Sequence, residues 1–299
     1  MRKKLIIVTI IIVIGLLWYF FIKPQDYQIR VEAKSLPGTI NQSLKAWNNS
    51  LNDASIIQLE DIKHLKQTII FGDSTFIYTW NISPINDSTS QLKVDVKDVN
   101  HSLKNRLYIP FMDTNFEKGS RKFVTEFIKN LNQHRKEFKV TILEVEELPS
   151  TYCACVMHKT SQTKKAIGMK ESYPFLNSVL VGNGLKLNGV PFIETTDWDM
   201  ANDSVAFNFC YPIIKTDSLP IIKDIIYKEF SGPKSLKAIY NGNYITSDRA
   251  WYALLDYAEK NNIKVDAKPI EFFFNNPNMG GDALLWKTEV FMPLLDSDE

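Results

Sequence analysis

The sequence is short of cysteine and histidine and carries no surplus of charge of either sign. Three cysteines in 299 residues exclude a disulfide-dense scaffold. Thirty-five Lys and Arg stand against 34 Asp and Glu, a net charge of +1, which argues against a dedicated nucleic-acid binder. The four histidines show no metal-ligand spacing: His64, His101 and His134 are isolated, and His134 reads as a surface residue near a helix end. Nothing resembles a Ser-His-Asp set, a nucleophile elbow or a cofactor-binding loop. Gly280-Gly281 is a loop signal, since neither a helix nor a Lys-Ser/Thr pair follows it. No metal, cofactor or catalytic residue is therefore expected. With 44% apolar residues, the chain has enough material for packed cores and is not disordered.

The apolar residues are unevenly spread. Arg2, Lys3 and Lys4 precede an uncharged apolar run from Leu5 to Ile22, which ends in Trp18-Tyr19-Phe20-Phe21 and is followed by Lys23-Pro24. At about 1.5 Å per residue this run spans roughly 27 Å, close to the hydrocarbon thickness of a bilayer. A cleaved signal peptide would have a shorter apolar region and small residues at its end. The aromatic end and the Lys-Pro stop favour an uncleaved membrane anchor. The positive-inside rule then keeps residues 2–4 in the cytoplasm and places the soluble part outside it, in a periplasm or at the cell exterior.

The remainder divides into residues 25–138 and 139–299, with 1–24 as cytoplasmic tip and anchor. In the first division Tyr27–Ser35 alternates as a strand, and Pro37-Gly38-Thr39 opens a short helix carrying Ile40, Leu44 and Trp47. Strands follow at Ile56–Leu59, Gln67–Phe71, Thr75–Ile82 and Gln91–Val99, with turns at Gly72-Asp73-Ser74 and Pro84-Ile85-Asn86-Asp87. A long helix from about Thr114 to Glu137 has Phe116, Phe123, Phe127 and Leu131 in one stripe. This order of elements resembles the helix-grip fold of START-like, or SRPBCC polyketide-cyclase, proteins. The resemblance implies a curved sheet around the long helix and a cavity, and we assign this domain no catalytic role.

The second division repeats itself. Strands at Tyr152–His158, Val190–Glu194 and Ser204–Tyr211 surround a helical segment at Tyr173–Val181, which has Pro174 in its first turn. Strands at Ser235–Tyr240, Pro269–Phe274 and Leu285–Met292 surround a helix capped by Thr246 or Ser247 and running to Lys260. His158 aligns with Tyr240, Pro212 with Pro293, and Pro191-Phe192 with Pro269-Ile270, so two β-α-β-β units are expected by duplication. Cys153 and Cys155 share one face of a strand and are poor partners for each other; Cys210 pairs with one of them if the strands are adjacent. All three otherwise read as small buried hydrophobes.

Here the sequence is similar to the gyrase-inhibitor-like effector-binding family. The similarity rests on the strand-end turn Tyr240-Asn241-Gly242-Asn243-Tyr244, the helix Ala250-Trp251-Tyr252-Ala253-Leu254-Leu255, Lys268-Pro269-Ile270-Glu271, and the closing Thr288-Glu289-Val290-Phe291-Met292-Pro293. Asn241 and Asn243 stand where the family often has His and Pro. The resemblance implies an α+β chain whose last part is a duplicated SHS2-type domain binding lipophilic, often cationic, small molecules through a glutamate between the repeats. By strand alternation Thr288, Val290 and Met292 lie under the repeat's helix. Glu289 lies on the opposite face, with Asn208 in the related position. The expected ligand-binding residues are Glu289 and Asn208, with Phe291, Tyr240, Tyr244, His158 and Trp198 as secondary candidates. A carboxylate among aromatics needs a cation to compensate it, and cation–π attraction would add to the pair. A solvated Lys287–Glu289 pair is the plainer reading of the same spacing. Some members of the family are hydrolases, so Glu289 as general base, helped by Tyr240 or Tyr244, is the enzyme alternative. A third reading is an envelope interaction protein whose cleft is filled. A binding module with a small-molecule ligand, anchored by Leu5–Ile22 and without a nucleic-acid partner, is the reading preferred here.

Overall fold

The computed structural model describes residues 2–295. It is a mixed α+β protein with an N-terminal apolar helix and two antiparallel sheets, and it divides into two compact units, Met1–Asn132 and Gln133–Glu299.

In the first unit, α1 (Arg2–Leu17) continues as a π-helical segment, Trp18–Ile22. Together they make one helix long and apolar enough to cross a membrane, with none of it buried in protein. Lys23-Pro24 ends it, because proline cannot continue the hydrogen-bond ladder. β1 (Tyr27–Ala33) and α2 (Pro37–Asn48) follow, then β2 (Ala54–Gln58), β3 (His64–Phe71), β4 (Ser74–Asn86) and β5 (Thr89–Asp98). The sheet order is β1-β5-β4-β3-β2. The Pro84 turn expected from the sequence sits two residues later: β4 runs through Pro84 to Asn86 with a bulge, and the turn is Asp87-Ser88. A short helix, α3 (Ser102–Tyr108), which the sequence did not announce, precedes the long α4 (Asn115–His134). Ile40 and Leu44 of α2 and Val124, Phe127 and Leu131 of α4 pack on Tyr78, Trp80, Leu92 and Val94 of the sheet. Trp47 packs at a tilt against Phe123 and Phe127 at centroid distances of 4.6 and 5.4 Å, so aromatic rings occupy the space between sheet and helices.

The second unit contains one eight-stranded sheet. Its strands are β6 (Phe138–Glu147), β7 (Thr151–Ser161), β8 (Phe192–Asp199), β9 (Ser204–Pro212), β10 (Ile226–Phe230), β11 (Lys234–Gly242), β12 (Ile270–Phe273) and β13 (Lys287–Pro293). The spatial order is β10-β7-β9-β8-β12-β13-β11-β6, which reads alike from either end. β8 and β12 meet at the centre in a register of Phe192 with Phe272, Ile193 with Glu271 and Glu194 with Ile270. The same register makes Asn208 the counterpart of Glu289: Asn208 pairs with Glu194 and Glu289 with Phe272. α5 (Lys165–Gly182) lies between β7 and β8, and α6 (Arg249–Lys260) between β11 and β12. α5 is twice the expected length and carries Pro174 inside it; the proline suggested a helix start where there is none. His134, expected at the surface, is partly buried against the Phe138 ring at 5.0 Å, and burial lowers its pKa.

Candidate functional site

The two faces of the eight-stranded sheet have different contents. Strand alternation puts Phe209, Tyr211, Ile193, Glu271, Phe273, Tyr240 and Val290 on the face that carries α5 and α6. Cys155, Asn208, Cys210, Phe192, Glu194, Phe272, Glu289 and Phe291 point to the other.

A cavity of about 720 Å³ opens on the helix-bearing face. Thr163, Ala166, Ile167, Met169 and Tyr173 supply the α5 side, Phe209 and Phe273 the floor, and Tyr244, Ile245 and Trp286 the far wall. Asn243, Asn275, Asn276 and Asn278 supply amides, and the exposed Lys170 and Glu171 stand at the edge. Tyr244 is the wall's organising residue. Its ring lies 5.0 Å from Phe273 and 5.8 Å from Trp286. Its hydroxyl donates to the Lys287 carbonyl (3.2 Å) and accepts from the Asn275 amide (2.8 Å). Burial pushes its pKa up to about 12, so it stays a neutral phenol at physiological pH. Gly242 permits the turn that delivers Tyr244. At φ +154° a Cβ there would sit 2.6 Å from the Tyr240 hydroxyl and 2.8 Å from the Phe138 Cβ. Across the cavity, Asn276 Nδ2 donates to the Tyr173 hydroxyl at 3.2 Å and ties the β12–β13 loop to α5.

Beside the cavity, at the centre of the same face, lies a buried ion pair. Lys165 Nζ is 2.6 Å from Glu271 Oε1, and the two side chains are 1% and 0% exposed. Ser247 Oγ accepts from Lys165 at 2.9 Å and donates to Glu271 Oε2 at 2.7 Å. The ammonium lies 4.6 Å from the Trp251 ring centroid, within cation–π range. The carboxylate is thus satisfied by groups of the chain itself. Glu271 precedes the cavity residue Phe273 by two positions on one strand face, and Lys165 adjoins the cavity residue Ala166.

Among the seven residues expected to bind ligand, Tyr244 lines this cavity. The other six have structural partners. Glu289 is on the opposite sheet face, with Oε1 2.6 Å from Lys287 Nζ and Oε2 3.2 Å from Lys237 Nζ. Both of its oxygens are held by ammonium groups. Asn208 Nδ2 donates to Glu194 at 2.9 Å, which also pairs with Lys228. Phe291 is core, clustered with Phe192, Phe230 and Ile270. Tyr240 is fully buried, its hydroxyl bound to the Asn243 carbonyl (3.1 Å) and Thr246 Oγ1 (2.7 Å). Trp198 meets Trp251 and Tyr252 edge to face and donates to Gln162 at 3.0 Å. His158 Nε2 lies 2.5 Å from Ser172 Oγ under α5, where Gly168 leaves room for its ring. Burial lowers the His158 pKa, which favours the neutral imidazole. Cys155 and Cys210, directly paired across β7 and β9, form a disulfide; Cys153 is a buried thiol whose pKa burial raises to about 12.

Sequence reasoning missed Lys165, Glu271 and the α5 wall. Glu271 stands within Lys268-Pro269-Ile270-Glu271, but the closing motif points to Glu289 instead. Lys165 carries no signal, because the expected helix begins at Tyr173, eight residues after α5 does.

No protein-family model matches the sequence, and no curated protein matches it. Among solved structures it is similar to the C-terminal domain of EcmrR, at 18% identity over 53% of this chain and 98% of that one, with a TM-score of 0.44. EcmrR in complex with DNA gives 20% identity, 65% and 71% coverage and a TM-score of 0.44. SAV2435 bound to tetraphenylphosphonium gives 12% identity, 52% and 94% coverage and a TM-score of 0.37. At these scores the likeness is partial and says nothing about chemistry.

Proposed function

We propose that this chain is a membrane-anchored binding protein whose second unit holds a neutral, largely apolar small molecule on the extracytoplasmic side. Two β-α-β-β modules of the SHS2 type, related by the symmetric strand order, would frame the site. The observation that carries this reading is the aromatic cavity of Tyr173, Phe209, Tyr244, Phe273 and Trp286 beside a carboxylate that Lys165 already neutralises. Aromatic walls of this size suit a flat apolar ligand, and the asparagine amides at the edge suit one or two polar substituents. Among the described residues an organic cation would find no unpaired buried carboxylate there, so the ligand class narrows from hydrophobic or cationic to hydrophobic. Glu289 has no ligand role in this reading, because two lysines hold it. The Leu5–Ile22 run supports anchoring by length and composition, and the basic flank before it supports the outward placement of the soluble units.

The test is ligand binding to the full chain in nanodiscs. A neutral polycyclic aromatic compound is expected to stabilise the protein, and tetraphenylphosphonium is not. Tyr244→Ala is expected to weaken the neutral compound about tenfold, or about 1.4 kcal/mol. Equal binding to wild type and Tyr244→Ala, or preference for the cation, defeats the proposal.

A further inference from the structure

The guanidinium of Arg106 on α3 is buried at the end of the apolar N-terminal helix. Its Nη1 donates to the carbonyls of Tyr19 (3.1 Å) and Phe20 (2.9 Å), and its Nη2 to that of Lys23 (2.6 Å). Its Nε pairs with Asp26 at 2.6 Å, and both side chains are nearly inaccessible. In return, the Tyr19 hydroxyl donates to the Arg106 carbonyl at 3.1 Å. The last carbonyls of a helix have no partners within it, and Arg106 satisfies two of them together with that of the capping Lys23. Asp26 also accepts from Ser102 Oγ (2.6 Å) and from the Asp98 amide (3.0 Å). α3 is therefore fixed to the carboxyl end of the apolar helix, at the level of its aromatic residues.

The other face of α3 is apolar and exposed. Leu103 and Leu107 lie one turn apart and are at least half exposed. The following turn carries Phe111, 82% exposed, and Met112. The same end of the five-stranded sheet adds Phe71 and Val99, both exposed. Phe71 ends β3, and the next strand's Ser74 Oγ contacts His101 Nδ1 at 3.2 Å, at the start of α3. The Val99 amide donates to the Thr75 carbonyl at 2.9 Å. The chain enters the sheet from the apolar helix at this end, where the Asp26 amide donates to the Val96 carbonyl. Six large exposed apolar side chains thus lie on the elements next to the point where the helix leaves its apolar length. Large apolar side chains exposed together at one end of a unit mark an interaction surface.

Resting on the membrane-anchor reading above, we infer that this surface is a second membrane contact, in which Leu103, Leu107, Phe111 and Met112 enter the outer leaflet beside the anchor. The Arg106 attachment selects lipid as the occupant, because it holds the patch at the depth where the anchor's own Trp18 to Ile22 meet the interface. The first unit then rests on the bilayer in a fixed orientation and does not swing on a tether.

The test uses the full chain in phosphatidylcholine–phosphatidylglycerol vesicles, with a nitroxide label on one introduced cysteine at a time: Ile11→Cys, Leu107→Cys, Phe111→Cys and Ile85→Cys. Ile85 is exposed at the opposite end of β4 and serves as the aqueous reference. The parent chain, whose free Cys153 is buried, supplies the labelling background. Labels at 11, 107 and 111 are expected to show severalfold higher oxygen-to-nickel-chelate accessibility than the label at 85. If position 11 is lipid-buried while 107 and 111 behave like 85, the inference fails and the anchor stands. If position 11 also behaves like 85, the anchor reading fails and the inference with it. Shielding of 107 and 111 from both reagents would mean a protein contact, with a partner or a second copy, and also overturns the inference.

Discussion

Each face of the eight-stranded sheet carries a lysine–glutamate pair set against an aromatic ring. On the helix-bearing face, Lys165 meets Glu271 and lies over Trp251; on the other, Lys237 meets Glu289 and lies 5.1 Å from the Phe291 centroid. The chemistry is the same and the surroundings are not. Lys165 and Glu271 are sealed between α5, α6 and the sheet, whereas Lys237 and Glu289 keep 11% and 17% of their side chains in solvent and share Glu146 and Lys287. A buried pair gains strong mutual attraction but depends wholly on both members, while a wet network tolerates losing one. The position of the cavity follows the same division: it adjoins the dry pair, not the wet one.

The largest expected effect comes from breaking the dry pair. Lys165→Met removes the cation from the buried Glu271 carboxylate and leaves it only the Ser247 hydroxyl, and should cost about 3–5 kcal/mol. Thermal denaturation in nanodiscs would show it as a large drop in Tm. Replacing both residues by methionine should recover most of the loss, because two apolar side chains of similar volume need no partner. A double variant as unstable as the single would mean that Lys165 and Glu271 are not coupled.

Next comes the disulfide on the opposite face. Cys155 and Cys210 are 55 residues apart, and the bond closes a loop through α5, β8 and most of β9. Its removal by Cys155→Ala with Cys210→Ala is expected to cost about 2–4 kcal/mol. Ligand affinity should stay unchanged, because both cysteines point away from the cavity. A loss of binding without a loss of stability would break the separation of the two faces.

Most of the fold could be read in the sequence because its signals are local. Alternation in Tyr27–Ala33, the aromatic stripe of α4 and the strand closing on Pro293 needed only neighbouring residues. Even the register relation of Asn208 to Glu289 followed from the spacing of the two halves. The site was harder, because alternation assigns a residue to a face but does not say which residues line a cavity. Alternation puts Glu289 opposite α6, and the cavity described above lies on the side of α6. α3 was invisible for a related reason: seven residues with Asn105 and Arg106 turned inward give no apolar stripe toward a core, and their apolar face points out. Pro174, usually a marker of helix starts, hid the first half of α5 and with it Lys165.

The smallest effect is the one that bears most directly on the site. Glu289→Gln keeps the shape and a hydrogen-bonding oxygen and removes one charge from a partly wet cluster. Lys237 still has Glu146 at 2.7 Å, so neither lysine is left buried and alone. The stability change should therefore be no more than about 1 kcal/mol. Binding of a neutral aromatic ligand should not change, because Glu289 is on the face away from the cavity. A tenfold loss of affinity on this substitution, with Tm nearly constant, would return Glu289 to the site. It would then require a second pocket on the disulfide-bearing face, and the sheet would bind on both sides.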